Sequence, residues 1–159
     1  MTHITHDPDT PGHEQAIINK IIELMQADGF WEGFSYYVIP GYDAATFNPP
    51  WVHIFFSENA PSQQSLGRNY KYEGVIRVII VIPQHEIGSD DRQITKHTEK
   101  FDNLLIANKQ VKVRADIRTN WLRVQRWRYE YEPESLGLAG IDSTEILVDA
   151  NYARTVVLS

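Results

Sequence analysis

The strongest constraint on the fold is an eight-residue run, 75–82, in which every residue except Arg77 is β-branched. Pro83 closes the run. β-Branched side chains favour extended backbone, and an unbroken apolar run is typical of a strand buried on both faces. The sequence therefore predicts a long strand over 70–83, buried on both faces at its far end, as the centre of the fold.

Two amphipathic helices are predicted, one before and one after this strand. Thr10 as cap and Pro11 at the first helical position begin the first helix, which ends at Asp28 and Gly29. The second begins after Ser89, and its first turn carries two carboxylates at the positive end of the helix dipole. Apolar positions recur every three or four residues in both. They are Ile17, Ile18, Ile21, Ile22, Leu24 and Met25, then Ile94, Thr98, Phe101, Leu104 and Leu105.

Shorter strands are predicted on both sides of the central run, at 34–39 and 51–56 before it and at 111–118 and 121–131 after the second helix. The polar residues 57–69 read as a long exposed loop between two antiparallel strands. Thr119 and Asn120 are placed in a tight turn. The apolar parity of 121–131 slips, which predicts either a bulge near Gln125 and Arg126 or a strand that is amphipathic on both faces.

The order helix, strands, helix, strands predicts an α+β fold. We expect a mixed or antiparallel sheet of about four to six strands, with two helices packed on one face and long loops. Residues 1–9 hold a single large aliphatic side chain and are predicted to form a flexible N-terminal arm. Residues 10–159 form the single domain, with a possible C-terminal arm or hairpin at 133–159.

Composition narrows the functional class. The chain has no cysteine, which excludes disulfides, thiolate metal sites and a cysteine nucleophile, and fits a reducing compartment. Its longest apolar run, 78–83, is too short to span a bilayer, so no membrane partner is expected. With 15 Lys and Arg against 21 Asp and Glu, the formal charge of −6 argues against a general nucleic-acid binder.

Catalytic and metal-binding patterns are weak. The six histidines show no metal-binding spacing, and no serine lies in a nucleophile elbow. His85, Asp90 and Asp91 could gather round a divalent cation, but solvated loop and cap roles are favoured. The sequence therefore predicts no catalytic residue, no metal, no cofactor and no enzyme activity.

One segment suggests nucleic-acid binding. Arginines alternate with tryptophan and tyrosine over 123–131, the pattern by which single-strand binders combine phosphate contacts with base stacking. The alternative is a sheet whose outer face carries paired Arg and Glu and whose aromatic residues pack in the core or in a subunit interface. The acidic total favours the second interpretation.

A series of short motifs follows the predicted elements over roughly 10–131. They are Pro50-Trp51-Val52-His53-Ile54, Ala60-Pro61, Ser65-Leu66-Gly67, Glu73-Gly74, Val81-Ile82-Pro83, Gly88 and Phe101-Asp102. In this order the chain resembles the tail terminator proteins of tailed bacteriophages. In that family an N-terminal helix precedes a sheet, and a second helix follows the long strand with its terminal proline. The residues before Thr10 and after Glu132 have no counterpart in it.

The resemblance implies a structural virion protein of the neck, assembled in the host cytoplasm. Such a protein forms a ring, usually of six copies, that caps the tail tube, ends its polymerisation and joins the tail to the head connector. The implied partners are further copies of the chain, the tail tube protein and the head connector or neck protein, while DNA passes through the channel without specific binding. Another neck component, such as a head-completion or connector protein, is the alternative.

Two sets of residues are candidates for functional roles in such a ring. Glu86, Asp90 and Asp91 crowd one helix N-terminus and are predicted to lie at the channel wall, where carboxylates repel DNA phosphates. The polar loop and the start of the long strand are predicted to form the assembly interface. Its candidate residues are Pro61, Gln63, Leu66, Arg68 and Tyr70.

Overall fold

The computed structural model describes residues 10–39, 48–62, 67–83, 93–132 and 140–156. Within them lie two α-helices and one six-stranded mixed sheet, which confirms the predicted α+β class. In chain order the elements are α1 (His13–Ala27), a 3-10 turn (Gly29–Trp31), β1 (Ser35–Tyr37), β2 (Trp51–Pro61), β3 (Asn69–Pro83), α2 (Gln93–Ala107), β4 (Lys112–Arg114), β5 (Ile117–Glu132) and β6 (Ile141–Thr155). Neither helix is long and apolar enough to cross a membrane.

The sheet is built around β3, as predicted. The strand order is β1-β2-β3-β6-β5-β4, and only β1 and β2 run parallel. Every residue of β3 has a partner in β6, from Asn69 opposite Thr155 to Pro83 opposite Ile141. Ile80, Val81 and Ile82 are all buried, so the far end of β3 is covered on both faces.

Both helices pack on one face of the sheet and share one apolar core with it. Burial in β6 alternates from Asp142 to Ala150, the period-two pattern of a strand with one covered face. We call the covered side the helix face and the other the open face. The buried helix positions match the predicted stripes. They are Ile17, Ile18, Ile21 and Met25 in α1, and Ile94, Thr98, Phe101 and Leu105 in α2.

The predicted start of α1 was wrong by two residues. Gly12 is the N-cap, with an extended ψ of 163°, and the helix begins at His13 rather than at Pro11. Thr10 therefore does not cap it, and no side chain makes a capping hydrogen bond. The predicted start of α2 at Ser89 lies outside the described residues.

Of the described residues in the predicted loop over 57–69, residues 57–61 and 69 lie in strands. β2 continues to Pro61 and β3 begins at Asn69, and the two pair antiparallel as predicted. A register shift between Phe56 and Glu58 lets the pairing continue, with Ala60 opposite Glu73. These residues are polar because they are exposed, and backbone hydrogen bonds do not depend on side-chain polarity.

The tight turn after β4 lies at Ala115 and Asp116, not at Thr119 and Asn120. Thr119 is buried in β5, where its hydroxyl donates to the Lys109 carbonyl oxygen at 3.1 Å and accepts from a backbone N–H. The pairing of β5 with β6 shifts its register between Thr119 and Trp121. A second shift, between Val124 and Arg126, confirms the bulge predicted from the parity slip.

The possible C-terminal arm or hairpin is wrong for the described residues of 133–159. Ile141–Thr155 form β6, which lies between β3 and β5 and pairs with both. A strand paired on both sides is part of the sheet interior and not an appendage. Residues 1–9, the predicted N-terminal arm, lie outside the described residues.

Candidate assembly surfaces

The predicted channel wall is not described. Glu86, Asp90 and Asp91 lie outside the described residues, as do Gln63 and Leu66 of the predicted interface. Their positions in an assembly therefore stay predictions.

The other three predicted interface residues lie together at one end of the sheet, at the tip of the β2–β3 hairpin. Pro61 ends β2, and Arg68 immediately precedes β3. Both are exposed, and Tyr70, at the start of β3, is 41% exposed. The Arg68 carbonyl accepts a 3.0 Å hydrogen bond from the backbone N–H of Val156, which ties the tip to the end of β6. Tyr70 is therefore an exposed tyrosine at a strand end that this hydrogen bond holds in place.

A hydrogen-bonded cluster that the sequence did not predict joins α1 to the sheet at the same end. The Tyr152 hydroxyl lies 2.6 Å from His13 Nδ1 and accepts from Asn59 Nδ2 at 2.5 Å. Asn59 Nδ2 also donates to Glu14 Oε2 at 2.9 Å. Burial, reinforced by the Arg154 guanidinium, lowers the pKa of His13, and burial raises the pKa of Tyr152.

Burial thus favours the neutral form of both rings, and the Tyr152 hydroxyl bridges His13 Nδ1 and Asn59 Nδ2. Tyr72 stacks on Tyr152 with ring centroids 5.1 Å apart. The cluster joins His13 and Glu14 of α1 to Asn59 of β2 and Tyr152 of β6. Its geometry fixes α1, β2 and β6 to one another, and we assign it a structural role.

Ion pairs cross the open face between neighbouring strands. Glu145 in β6 accepts from Arg77 Nε in β3 at 3.0 Å and from Arg128 Nη2 in β5 at 3.4 Å. Burial alone would raise the pKa of Glu145, but the hydrogen bonds and charges of these two arginines outweigh it and hold the pKa below its ordinary value. Arg123 and Asp149 form a similar pair at 3.5 Å. The open face is therefore a polar surface on which ion pairs connect neighbouring strands.

The pairing of β5 with β6 separates Arg126 and Arg128 from Trp127. Trp127 lies opposite the buried Ile146, on the side of the strand that faces the helices, whereas Arg126 and Arg128 lie opposite open-face residues. Phosphate contacts and base stacking on one surface need both residue types on the same side. The geometry therefore favours the interpretation of 123–131 as a paired and packed strand over a single-strand binding platform.

A shallow apolar groove of about 360 Å³ lies between α2 and β5. Leu105 and Leu122 form its floor, and the exposed side chains of Ile106 and Trp121 flank it, 64% and 42% exposed. Among the described residues, no three His, Cys, Asp or Glu side chains are close enough to hold a metal ion. The geometry thus offers surfaces for contact, and the described part of the chain shows no chemical centre.

No protein family and no curated protein sequence matches the chain. Its fold is similar to that of a chain in the virion of a native gene transfer agent particle, with a TM-score of 0.55 and 9% identity over 84% of this chain and 91% of that one. A second similar structure is the sheath/tube terminator of an extracellular contractile injection system in the extended state. It has a TM-score of 0.44 and 13% identity over 89% of this chain and 57% of that one, too low a score to support an argument. The first comparison shows a shared fold.

Proposed function

We propose that the chain is a structural virion protein of a tailed-phage-like particle, acting as a ring that caps the tail tube, ends its polymerisation and joins it to the head connector. The observation that carries the proposal is the fold shared with the gene transfer agent virion chain, which extends over 84% of this chain and 91% of that one. A match over most of both chains is not confined to one element of the fold. The terminator role itself comes from the resemblance in the motif order.

The exposed surface supports a subunit that works in an assembly. Among the described residues, the large apolar side chains of Tyr70, Ile106, Trp121 and Trp127 are exposed. Aromatic residues are enriched in subunit interfaces. Covering an exposed apolar side chain with a partner protein removes its surface from water, which stabilises the contact. These side chains lie on β3, α2 and β5, so contacts with copies and with other virion proteins would use several sides of the subunit.

The proposed partners are five further copies of the chain, the tail tube protein and the head connector or neck protein. Pro61, Arg68 and Tyr70 would contact a neighbour from the hairpin tip. Glu86, Asp90 and Asp91 would line the channel, where negative charge lets DNA pass without specific binding. The role is structural and not enzymatic, and the protein would reside in the virion.

A tube-polymerisation assay tests the proposal. Tail tube protein from the same particle is allowed to polymerise with and without the purified chain, and tube lengths are measured by negative-stain electron microscopy. We expect substoichiometric amounts of the chain to shorten the tubes and to appear as a ring at one end. Tubes of unchanged length with no bound ring would contradict the terminator role; rings that bind without stopping growth would indicate another neck component.

A measurement of binding to single-stranded DNA tests the alternative, that the chain is a nucleic-acid-binding protein. The assembly role predicts weak binding over the whole salt range. Tight binding with a steep salt slope by a monomer would contradict the proposal, because phosphate contacts release counterions and make affinity salt-dependent.

A further inference from the structure

The sheet leaves two stretches of strand edge without a neighbouring strand. β1 lies beside only Trp51–His53 of β2, and β4 lies beside only Ile117 and Arg118 of β5. Beyond these, the Leu122 N–H is bonded to the Lys109 carbonyl. Among the described residues, no strand flanks residues 55–60, which we call the β2 edge, or residues 123–128, which we call the β5 edge. Such edges carry unpaired backbone groups and are ready to accept another strand.

The two edges are complementary in direction. β2 is antiparallel to β3, β3 to β6 and β6 to β5, so β2 and β5 run in opposite directions on opposite sides of one sheet. When identical subunits stand in a ring with the same orientation, the β2 edge of one copy meets the β5 edge of the next as an antiparallel pair. Both edges are six residues long. Each subunit contributes two different edges, which is the heterologous contact that a closed ring requires.

The two edges also carry opposite charges that have no ion-pair partner in the part of the chain that the structure describes. Glu58 lies on the β2 edge opposite Val75, and Arg126 lies on the β5 edge opposite Leu147, so both side chains belong to the open face. Both are exposed, and neither has an ion pair among the described residues. The neighbouring arginines Arg123 and Arg128, in contrast, are paired with acidic residues of their own subunit.

We propose that the ring is closed by antiparallel pairing of the β2 edge of one copy with the β5 edge of the next, in the register that sets Glu58 opposite Arg126. This register sets Ala60 opposite Arg123 and Phe55 opposite Arg128. The bulges between Phe56 and Glu58 and between Val124 and Arg126 then lie on either side of the central pair. The proposal rests on the ring-forming function proposed above and names the contact that forms the ring.

Bulges and arginines keep an exposed strand from pairing with arbitrary partners. The β5 edge has both, so a partner strand must accommodate the bulge and supply a carboxylate at Arg126. The β2 edge satisfies both conditions. Pairing would extend one sheet through all copies with the helices on one side and the open face on the other.

Charge reversal tests the central pair. The variants are Glu58→Arg, Arg126→Glu and the double exchange, and the readout is the concentration at which half of the chains are assembled, by analytical ultracentrifugation. We expect each single variant to raise this concentration about tenfold or more, because like charges across paired strands repel, and the exchange to restore most of the loss. The control exchange is Glu99→Arg with Lys112→Glu, two exposed residues away from both edges, which should assemble as the wild type does.

Cysteine crosslinking tests the register, because the natural chain contains no cysteine. Directly opposite Cβ atoms on paired strands are about 4.5–5.5 Å apart, close to disulfide geometry. Ala60→Cys with Arg123→Cys should therefore give, on oxidation, a ladder of covalent oligomers that ends at the ring size. Ala60→Cys with Glu130→Cys is the matched control, since Glu130 lies about 23 Å further along the strand at about 3.3 Å per residue.

The outcomes separate this inference from the function it rests on. A ladder with the first pair and none with the control supports the pairing. An assembled ring without a ladder, a ladder from the control pair, or covalent dimers from Arg123→Cys alone would overturn the pairing and leave the ring-forming function standing. A chain that stays monomeric at all concentrations would overturn both.

Discussion

Replacing Gly74 by alanine should destabilise the protein, because β2 leaves no room for the added methyl group. Gly74 lies in β3 opposite Asn59. A Cβ atom there would lie 2.8 Å from Asn59 Oδ1, 2.9 Å from the Glu58 carbonyl oxygen and 3.0 Å from Phe56 Cε1. The Asn59 side chain is held by Tyr152 and Glu14, and the Glu58 contact is with backbone, so neither can simply swing away.

The magnitude follows from two opposing effects. Forcing a methyl group into a packed site costs about 1–3 kcal/mol. Alanine also restricts the unfolded chain, which returns about 0.4–1 kcal/mol. We therefore expect Gly74→Ala to lower the free energy of unfolding by about 1–2 kcal/mol. Gly29→Ala is the matched control, since nothing lies within 4 Å of its Cβ position and its backbone needs no positive φ, and it should be neutral or slightly stabilising.

Urea denaturation followed by tryptophan fluorescence measures both variants. All samples are compared at one low protein concentration, because assembly makes apparent stability concentration-dependent. A Gly74→Ala protein as stable as the wild type would refute the reasoning and would mean that β2 moves away from β3 without cost. The strain should also displace the β2 edge, so the same variant should assemble more weakly.

Three further predictions concern the core, the Tyr152 cluster and pH. Phe101→Ala should lower the unfolding free energy by about 3–5 kcal/mol in urea titrations, because the ring is completely buried between α2 and the sheet. Tyr152→Phe should cost about 1–2 kcal/mol in the same assay, because it removes a hydroxyl that two side chains contact. Burial lowers the pKa of His97, against the opposing effect of its hydrogen bond to Gln93, so stability should fall as pH drops below about 6.5, measured by melting at pH 7.5 and 5.5.

Each of these has a clear contrary result. A cost below about 1 kcal/mol for Phe101→Ala would mean that α2 does not seal the core in the unassembled subunit. An unchanged stability of Tyr152→Phe would show that water takes the place of the hydroxyl beside His13 and Asn59. The sign of the pH effect follows because a His with a depressed folded pKa binds its proton more readily when unfolded; a His97→Gln variant with the same pH dependence would place the effect elsewhere.

The parts of the fold that the sequence predicted are those encoded by consecutive residues. The β-branched run of β3 specifies a buried strand by itself, and the stripe from Ile94 to Leu105 specifies a helix face by its spacing. The parity slip within 121–131 indicated the β5 bulge because it is visible in one strand. Such features need no knowledge of the partner strand.

The role of β6 could not be found in this way. Its inward positions include Asp142 and Thr144, which are buried although polar, so the apolar alternation is interrupted at the start of the strand. Its central place depends on pairing with β3, about seventy positions away in the chain. The sequence also gave no signal for the extension of β2 through exposed polar residues to Pro61, which depends on backbone pairing with β3.

The residues of the candidate surfaces also fall into two groups, those predictable from local sequence and those related only through distant parts of the chain. Tyr70, Arg68 and Pro61 were predicted from local polarity and lie together at an exposed strand end. The link between His13 and Tyr152 joins residues 139 positions apart, and the relation between Glu58 and Arg126 becomes visible only when the strand order is known. The parity of β6 past Ala150 was the one signal that could have marked Tyr152 as an inward-facing residue.

The central claim is that the chain works as a closed ring. Native mass spectrometry of the purified wild-type protein at micromolar concentration tests it most directly. The account predicts one dominant assembled species at six times the chain mass of 18.4 kDa, with no larger species as concentration rises. A monomer at every concentration, or a series of oligomers that grows without limit, would contradict it.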